Sequence, residues 1–204
     1  MFEACEQAAR WSALRGPGEP LMVSVNLSAI QLRSRNLVET VAAALARSRL
    51  AGECLCLEIT ESVIMEDAAA VVPMLDSLRA LGVRLAIDDF GTGYSSLGYL
   101  SELPVDYIKI DRRFVEGIGV RSPSQNIVKA VIQLAHALDL QVVAEGIEQP
   151  AQLDWLRHHG CDLMQGFHLG RPGPAAQYDA VVQGSAAPLR PADHGAGGSR
   201  LKAV

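Results

Sequence analysis

Basic charge, zinc-type cysteine spacing and long apolar runs are all scarce in this 204-residue sequence. Net charge is −5 and the pI about 5.5, so no broad positive field exists to hold a nucleic-acid backbone, and no DNA or RNA partner is expected. The four cysteines, Cys5, Cys54, Cys56 and Cys161, form no CxxC pair. Cys54 and Cys56 share a strand face and are poorly placed to bridge each other. They read as buried small hydrophobes in a reducing cytosol. No apolar run approaches membrane-spanning length, and the N-terminus MFEACEQAAR opens with acids and not with a targeting signal. A cytoplasmic segment without membrane contact is expected, whatever anchor a longer parent chain carries. Histidine ligand spacing is also missing. His158 and His159 are adjacent on a helix, while His136, His168 and His194 are isolated, so all five read as structural or exposed.

What is present is a balance of 49% hydrophobic and 20% charged residues, that of a globular chain with one sizeable core. Six short apolar runs end in polar residues: LMVSVNLS (21–28), CLCLEITE (54–61), RLAIDDF (84–90), VDYIKID (105–111), QVVAEGIE (141–148) and DLMQGFHLG (162–170). Their Val, Ile and Leu content marks strands buried on both faces of a parallel sheet. Helical patterns lie between them. FEACEQAARWSAL precedes the first strand, AIQLRSRNLVETVAAALARS follows it, and AAAVVPMLDSLRALG ends at Gly82. SPSQNIVKAVIQLAHALDL carries a capping box from Ser122 to Gln125 and a core-facing stripe of Ile127, Val131, Leu134 and Leu138. EQPAQLDWLRHHG runs from Pro150 to Gly160, and the short YSSLGYLSEL is closed by Pro104.

Strands alternating with helices predict an α/β fold, a TIM-type (β/α) barrel, with a doubly wound sheet as the alternative. A complete TIM barrel needs eight strands and about 250 residues. Six strands predict an incomplete, modified barrel whose missing part is N-terminal, since the chain begins inside a helix. Residues 1–183 read as the domain and 184–204, rich in Gly, Ala and Pro, as a flexible tail.

In such a barrel the strand ends converge on one face. They offer Asn26, Glu58 with Glu61, Asp88 with Asp89, Lys109 with Asp111, Glu145 with Glu148, and Gln165. Carboxylates with an amide oxygen, and neither thiolate nor imidazole, make a hard-oxygen site suited to Mg²⁺, Mn²⁺ or Ca²⁺. A cation would also relieve the repulsion between Asp88 and Asp89. A carboxylate bridging two ions is a device for in-line attack on a phosphodiester, with Lys109 as a fixed positive charge. The plainer reading takes single acids as caps or solvated turn residues, with Asp111 and Glu148 capping the segments that follow them. GTGYSS read as a dinucleotide-binding turn fails, because Ser96 replaces the third glycine and two acids precede the loop.

With VNLSAIQL, LEITES, AIDDFGTGYSSL, DYIKID, VVAEGIE and QGFHLGRP in one order, the chain resembles the EAL-domain family. Its members are bacterial phosphodiesterases that linearise cyclic di-GMP on a modified TIM barrel. The resemblance runs to about Pro172 and implies roles residue by residue. Asn26, Glu58, Asp88, Asp89 and Glu145 are similar to metal ligands of a two-ion Mg²⁺ or Mn²⁺ site that Ca²⁺ inhibits, with Asp88 shared between the ions. Lys109 and Glu145 resemble catalytic residues at the attacking water. Glu61 resembles the glutamate that steadies the DDFGTGYSS loop, through which a homodimer is implied. Gln165 and Gln31 are implied in substrate binding. The Glu-Ala-Leu strand that names the family has no counterpart here. The expectation is therefore a weak or inactive phosphodiesterase, with a non-catalytic cyclic di-GMP receptor or interaction module as the alternative.

Overall fold

The structure, a computed structural model, describes residues 1–16, 21–91, 97–119 and 123–184. It contains two compact units, Met1–Asp88 with Thr92–Asp106, and Asp89–Gly91 with Tyr107–Val204.

The first unit runs α1 (Phe2–Arg15), β1 (Val23–Leu27), α2 (Ala29–Leu32), α3 (Leu37–Ser48), β2 (Leu55–Thr60), α4 (Glu61–Glu66), α5 (Ala68–Arg79), β3 (Arg84–Phe90, through Asp88 in this unit) and α6 (Leu97–Leu100). β1, β2 and β3 pair in parallel, with Asn26 opposite Glu58 and Thr60 opposite Asp88. Leu55, Leu57 and Ile59 of β2 are fully buried, as are Leu85 and Ile87 of β3 and Leu75 and Leu78 of α5. Burial on both faces explains why β2, LCLEIT, carries apolar residues on both faces instead of alternating strictly. Each such side chain contributes about 1.5–3 kcal/mol when taken out of water.

The second unit runs β4 (Tyr107–Ile110), α7 (Arg112–Val115), α8 (Pro123–Ala137), β5 (Gln141–Ala144), α9 (Pro150–His158), β6 (Leu163–Met164) and α10 (Asp179–Val182). β4, β5 and β6 are again parallel, with Lys109 opposite Val143 and Ala144 opposite Met164. Ile108, Ile110, Val142 and Ala144 form the buried strand layer under Val128, Ile132 and Ala135 of α8.

All six strands stand where the apolar runs placed them, but the last two are shorter. β5 ends at Ala144 because Gly146 turns the chain with φ 71°. The helix expected over 29–48 is two helices. Ser28 caps α2, and the polar RSRN stretch intervenes before α3. Ile127 is a correction: it is 41% exposed, and α8 buries Val128, Val131, Ile132 and Ala135 instead. Ala135 completes that stripe, and a small residue gives a weak apolar signal. The Ser122 cap and residues 185–204 of the proposed tail lie outside the described residues. All four cysteines are free and buried, and burial pushes the Cys161 thiol up to about 12.

Each unit is closed by the same device at a strand start. Asp106, just before β4, accepts the Leu85 amide (2.9 Å) and Arg84 Nη1 (2.8 Å). Asp162, just before β6, accepts the Val142 amide (2.8 Å) and lies 2.9 Å from His136 Nε2. Arg84 is largely solvated, so the bond to the buried amide dominates. Asp106→Ala is expected to destabilise the chain by about 1–3 kcal/mol and Asp106→Asn by less, since an amide oxygen still accepts. Urea midpoints check this; equal losses in the two variants contradict it.

Candidate active site

In the first unit, register alone gathers three oxygen donors. Asn26 and Glu58 are cross-strand partners, and Glu58 is opposite Ala86. Asp88 follows Ala86 by two residues, so all three side chains project from one face, with Asp88 one step toward the carboxyl end. Glu58 is only 5% exposed within a largely apolar strand, a place where a carboxylate is costly unless a donor or cation meets it. Two carboxylates and an amide oxygen suit a hard divalent ion, and in donor chemistry they fit the group the sequence implied. Among the described residues no group of three or more His, Cys, Asp or Glu side chains is placed to hold a metal ion. The trio supplies two acids, and its third donor is the Asn26 amide.

Glu61 is buried at the first position of α4. The loop residues it is expected to steady, 92–96, lie outside the described residues. Gln31 closes a capping box at the start of α2. Its Oε1 accepts the Ser28 amide (3.0 Å) and hydroxyl (2.9 Å), which leaves its amide nitrogen as the group available to a ligand.

In the second unit, Lys109 is 4% exposed and its Nζ lies 2.7 Å from Glu145 Oε1. The strand ladder sets this distance. Lys109 is the third residue of β4, and beyond the last paired residues of β5 the Glu145 amide still donates to the Ile110 carbonyl (3.3 Å). The turn holding Glu145 is stitched to the one holding Gln165. Gln165 N donates to Ala144 O (2.8 Å), Ile147 N to Gln165 O (3.1 Å) and His168 N to Ile147 O (2.9 Å). Gln165 itself is exposed.

Asp89 takes φ 55°, a left-handed conformation rare outside glycine, and its carboxyl hydrogen-bonds Asp111. Burial pushes the Asp111 carboxyl up. The Arg113 amide, the Arg113 guanidinium and Asp89 outweigh that effect and hold it below the usual carboxylate range. Asp111 is also the expected cap, of α7. Glu148 is not a cap, which corrects that reading: Gln149 takes the position before Pro150, and Gln152 Oε1 accepts the amides of both Glu148 and Gln149 (2.9 Å each).

The sequence reading missed the partnership of Asp89 with Asp111 and the packing of Gly146 and Gly166. A β-carbon on Gly146 would meet Arg112 Cγ and Cβ at 2.5 and 2.6 Å. One on Gly166 would meet the Ile147 carbonyl carbon at 2.7 Å and its N and O nearer still. The glycines of AEGIE and QGF were the available signal for such close approaches.

An α/β chain with acids, an amide and a buried lysine at the carboxyl ends of parallel strands has the layout of a (β/α)-barrel site. The family model for the EAL domain matches residues 1–172, and the chain belongs to the EAL-domain family. It is 47% identical over 180 residues to the bifunctional diguanylate cyclase/cyclic di-GMP phosphodiesterase MucR of Pseudomonas aeruginosa, matching 88% of this chain and 26% of MucR. The chain thus spans about a quarter of that relative's length. The solved MucR phosphodiesterase–cyclic di-GMP complex superposes with TM-score 0.82 at 46% identity, covering 86% of this chain and 70% of that one. The EAL domain of Mycobacterium smegmatis DcpA gives TM-score 0.84 at 41% identity, with 92% and 83% covered. A manganese–cyclic di-GMP complex of Klebsiella pneumoniae BlrP1 gives 0.74 at 30%, with 84% and 43% covered. The fold class is therefore the α/β, modified TIM barrel of this family, with six strands among the described residues.

Proposed function

We propose that this chain is a cyclic di-GMP phosphodiesterase domain that, lacking a Glu-Ala-Leu segment, hydrolyses the dinucleotide to linear pGpG only weakly, in a reaction that depends on a divalent cation, Mg²⁺ or Mn²⁺. The observation that carries the reading is the buried Lys109–Glu145 pair at the carboxyl end of its strands, in a chain whose relatives are named as cyclic di-GMP phosphodiesterases. Asn26, Glu58 and Asp88 would hold one ion, and Asp89 and Glu145 a second. When bound, the ions supply Lewis-acid charge to the phosphoryl oxygens and lower the pKa of water.

The chain's own groups do the rest. Lys109 keeps a positive charge fixed in a water-poor position, where it stabilises charge growing on the phosphate. Glu145 accepts the proton of the attacking water. The new bond joins the water oxygen to phosphorus, the bond from phosphorus to the 3′ oxygen breaks, and that oxygen leaves with a proton as a hydroxyl. Gln165 and the Gln31 amide nitrogen contact the dinucleotide. A homodimer through the DDFGTGYSS loop completes the reading and rests on the family resemblance, as does the cytoplasmic setting. No described helix is long and apolar enough to cross a membrane.

The test is calorimetry with cyclic di-GMP in Ca²⁺, followed by chromatography of the product in Mn²⁺. Binding with pGpG formation, abolished by chelation, is the expected result. Binding without pGpG makes the chain a receptor, and neither binding nor product removes the nucleotide altogether.

A further inference from the structure

Glu145 sits on a turn, and a turn holds a carboxylate to a given distance only if something fixes the turn. Two contacts, both from residues far away in sequence, do this. Gly166 meets the Ile147 backbone at a distance that leaves no room for a β-carbon. Gly146, at φ 71°, is pressed on the base of the Arg112 side chain, where a β-carbon would meet Cγ, Cβ and Cδ, all within 3.0 Å. These are the root atoms of Arg112, not the far end of a flexible chain, so they cannot swing aside. The Arg112 guanidinium is itself held, by Glu116 Oε1 at 2.5 Å one helical turn along.

We infer that Arg112 is a positioning residue: its aliphatic stem, anchored by Glu116, packs on Gly146 and, together with the Gly166–Ile147 contact, keeps Glu145 against Lys109. This rests on the proposed phosphodiester reading for its consequence in catalysis, but not for its geometry. The rival role, a free cation for a substrate phosphate, uses the charge; positioning uses the stem. Arg112→Met keeps a stem of similar reach and removes the charge, whereas Arg112→Ala removes both. Arg112→Lys keeps the charge but replaces the planar guanidinium, whose Nε meets Glu116 Oε1, with a compact ammonium.

The sequence has three lysines, Lys109, Lys129 and Lys202, so ¹³Cε-lysine labelling of the full chain gives a spectrum with three signals, assigned with Lys129→Arg and Lys202→Arg. Arg112→Ala is expected to move and broaden the Lys109 signal while leaving Lys129 in place, and Arg112→Met to restore it. In the hydrolysis assay kcat should fall about tenfold to a hundredfold in Arg112→Ala with KM little changed, the signature of a misplaced reacting group, and Arg112→Met should recover most of it. Glu116→Ala, which releases the anchor without touching the turn, should act in the same direction with a smaller effect. It serves as the second variant if Arg112→Ala does not fold. A Lys109 signal unmoved in both Arg112→Ala and Glu116→Ala overturns the inference. So does a pattern in which Arg112→Lys restores activity and Arg112→Met does not. If the Lys109 signal responds as expected while the wild-type chain neither binds nor cleaves cyclic di-GMP, the positioning role stands and the proposed function falls.

Discussion

Lys109→Met is expected to abolish detectable pGpG formation, a loss of at least about a hundredfold, and to destabilise the chain in the same step. The first effect follows from removing a fixed charge from a site shielded from water, where such a group contributes far more than it would in solvent. The second follows from the partner left behind. Lys109 is almost wholly buried, and Glu145 Oε1 lies 2.7 Å from its ammonium. Breaking a buried pair by removing one member costs about 3–5 kcal/mol. The Glu145 side chain keeps 22% of its exposure, so water offsets part of this and the lower end of the range is expected. Lys109→Arg should not rescue activity, because a planar guanidinium does not fit a pocket shaped for a compact ammonium. The double variant Lys109→Met/Glu145→Gln should be more stable than Lys109→Met alone, since it also removes the carboxylate charge that faced the lost ammonium. Urea unfolding of the four proteins, read with the product assay, decides the matter. A double variant no more stable than the single one would mean that the pair does not couple.

Gly166→Ala should lower stability by about 3 kcal/mol without touching any charged group. The added β-carbon would lie inside 3.0 Å of the Ile147 N, C and O, so backbone must move on one side or the other. Ile147 N and O are both committed, to Gln165 O and from His168 N, and a shift weakens both bonds. Two such bonds at about 1 kcal/mol each, with about 1–3 kcal/mol of overpacking, set the expected size. For a chain of this length that is a fall in Tm of roughly 6–12 °C. Gly170→Ala is the control, because nothing lies within 4 Å of its would-be β-carbon. A thermal melt showing equal shifts for the two variants would refute the packing argument.

The residues of the candidate site were legible in the sequence because each stands at the end of an apolar run. A strand's period of two then assigns them to a face without any knowledge of neighbouring strands. Asn26, Glu58 and Asp88 needed only that rule and a parallel register to share one face. The buried character of β2 was legible for the same reason, since LCLEIT carries apolar residues on both faces and does not alternate strictly. Where the reading failed, the deciding partner was elsewhere. Ile127 fits the helical stripe as well as Val128 does, and only the surface that α8 meets chooses between them. Glu148 fits a cap from its place near Pro150, but the backbone puts Gln149 at that position, with Gln152 Oε1 accepting both amides.

The sequence by itself determined the order of strands and helices, the hard-oxygen chemistry of the strand ends and membership of the EAL family, because propensity, periodicity and motif are local properties. Tertiary structure alone decided that Lys109 pairs with Glu145, that Asp89 turns to Asp111, that Asp106 closes on Leu85 and that Arg112 packs on Gly146. Each of those joins residues about 20 or more positions apart. No local preference encodes such a contact; it exists only once the burial of the intervening strands and helices has brought its two ends together.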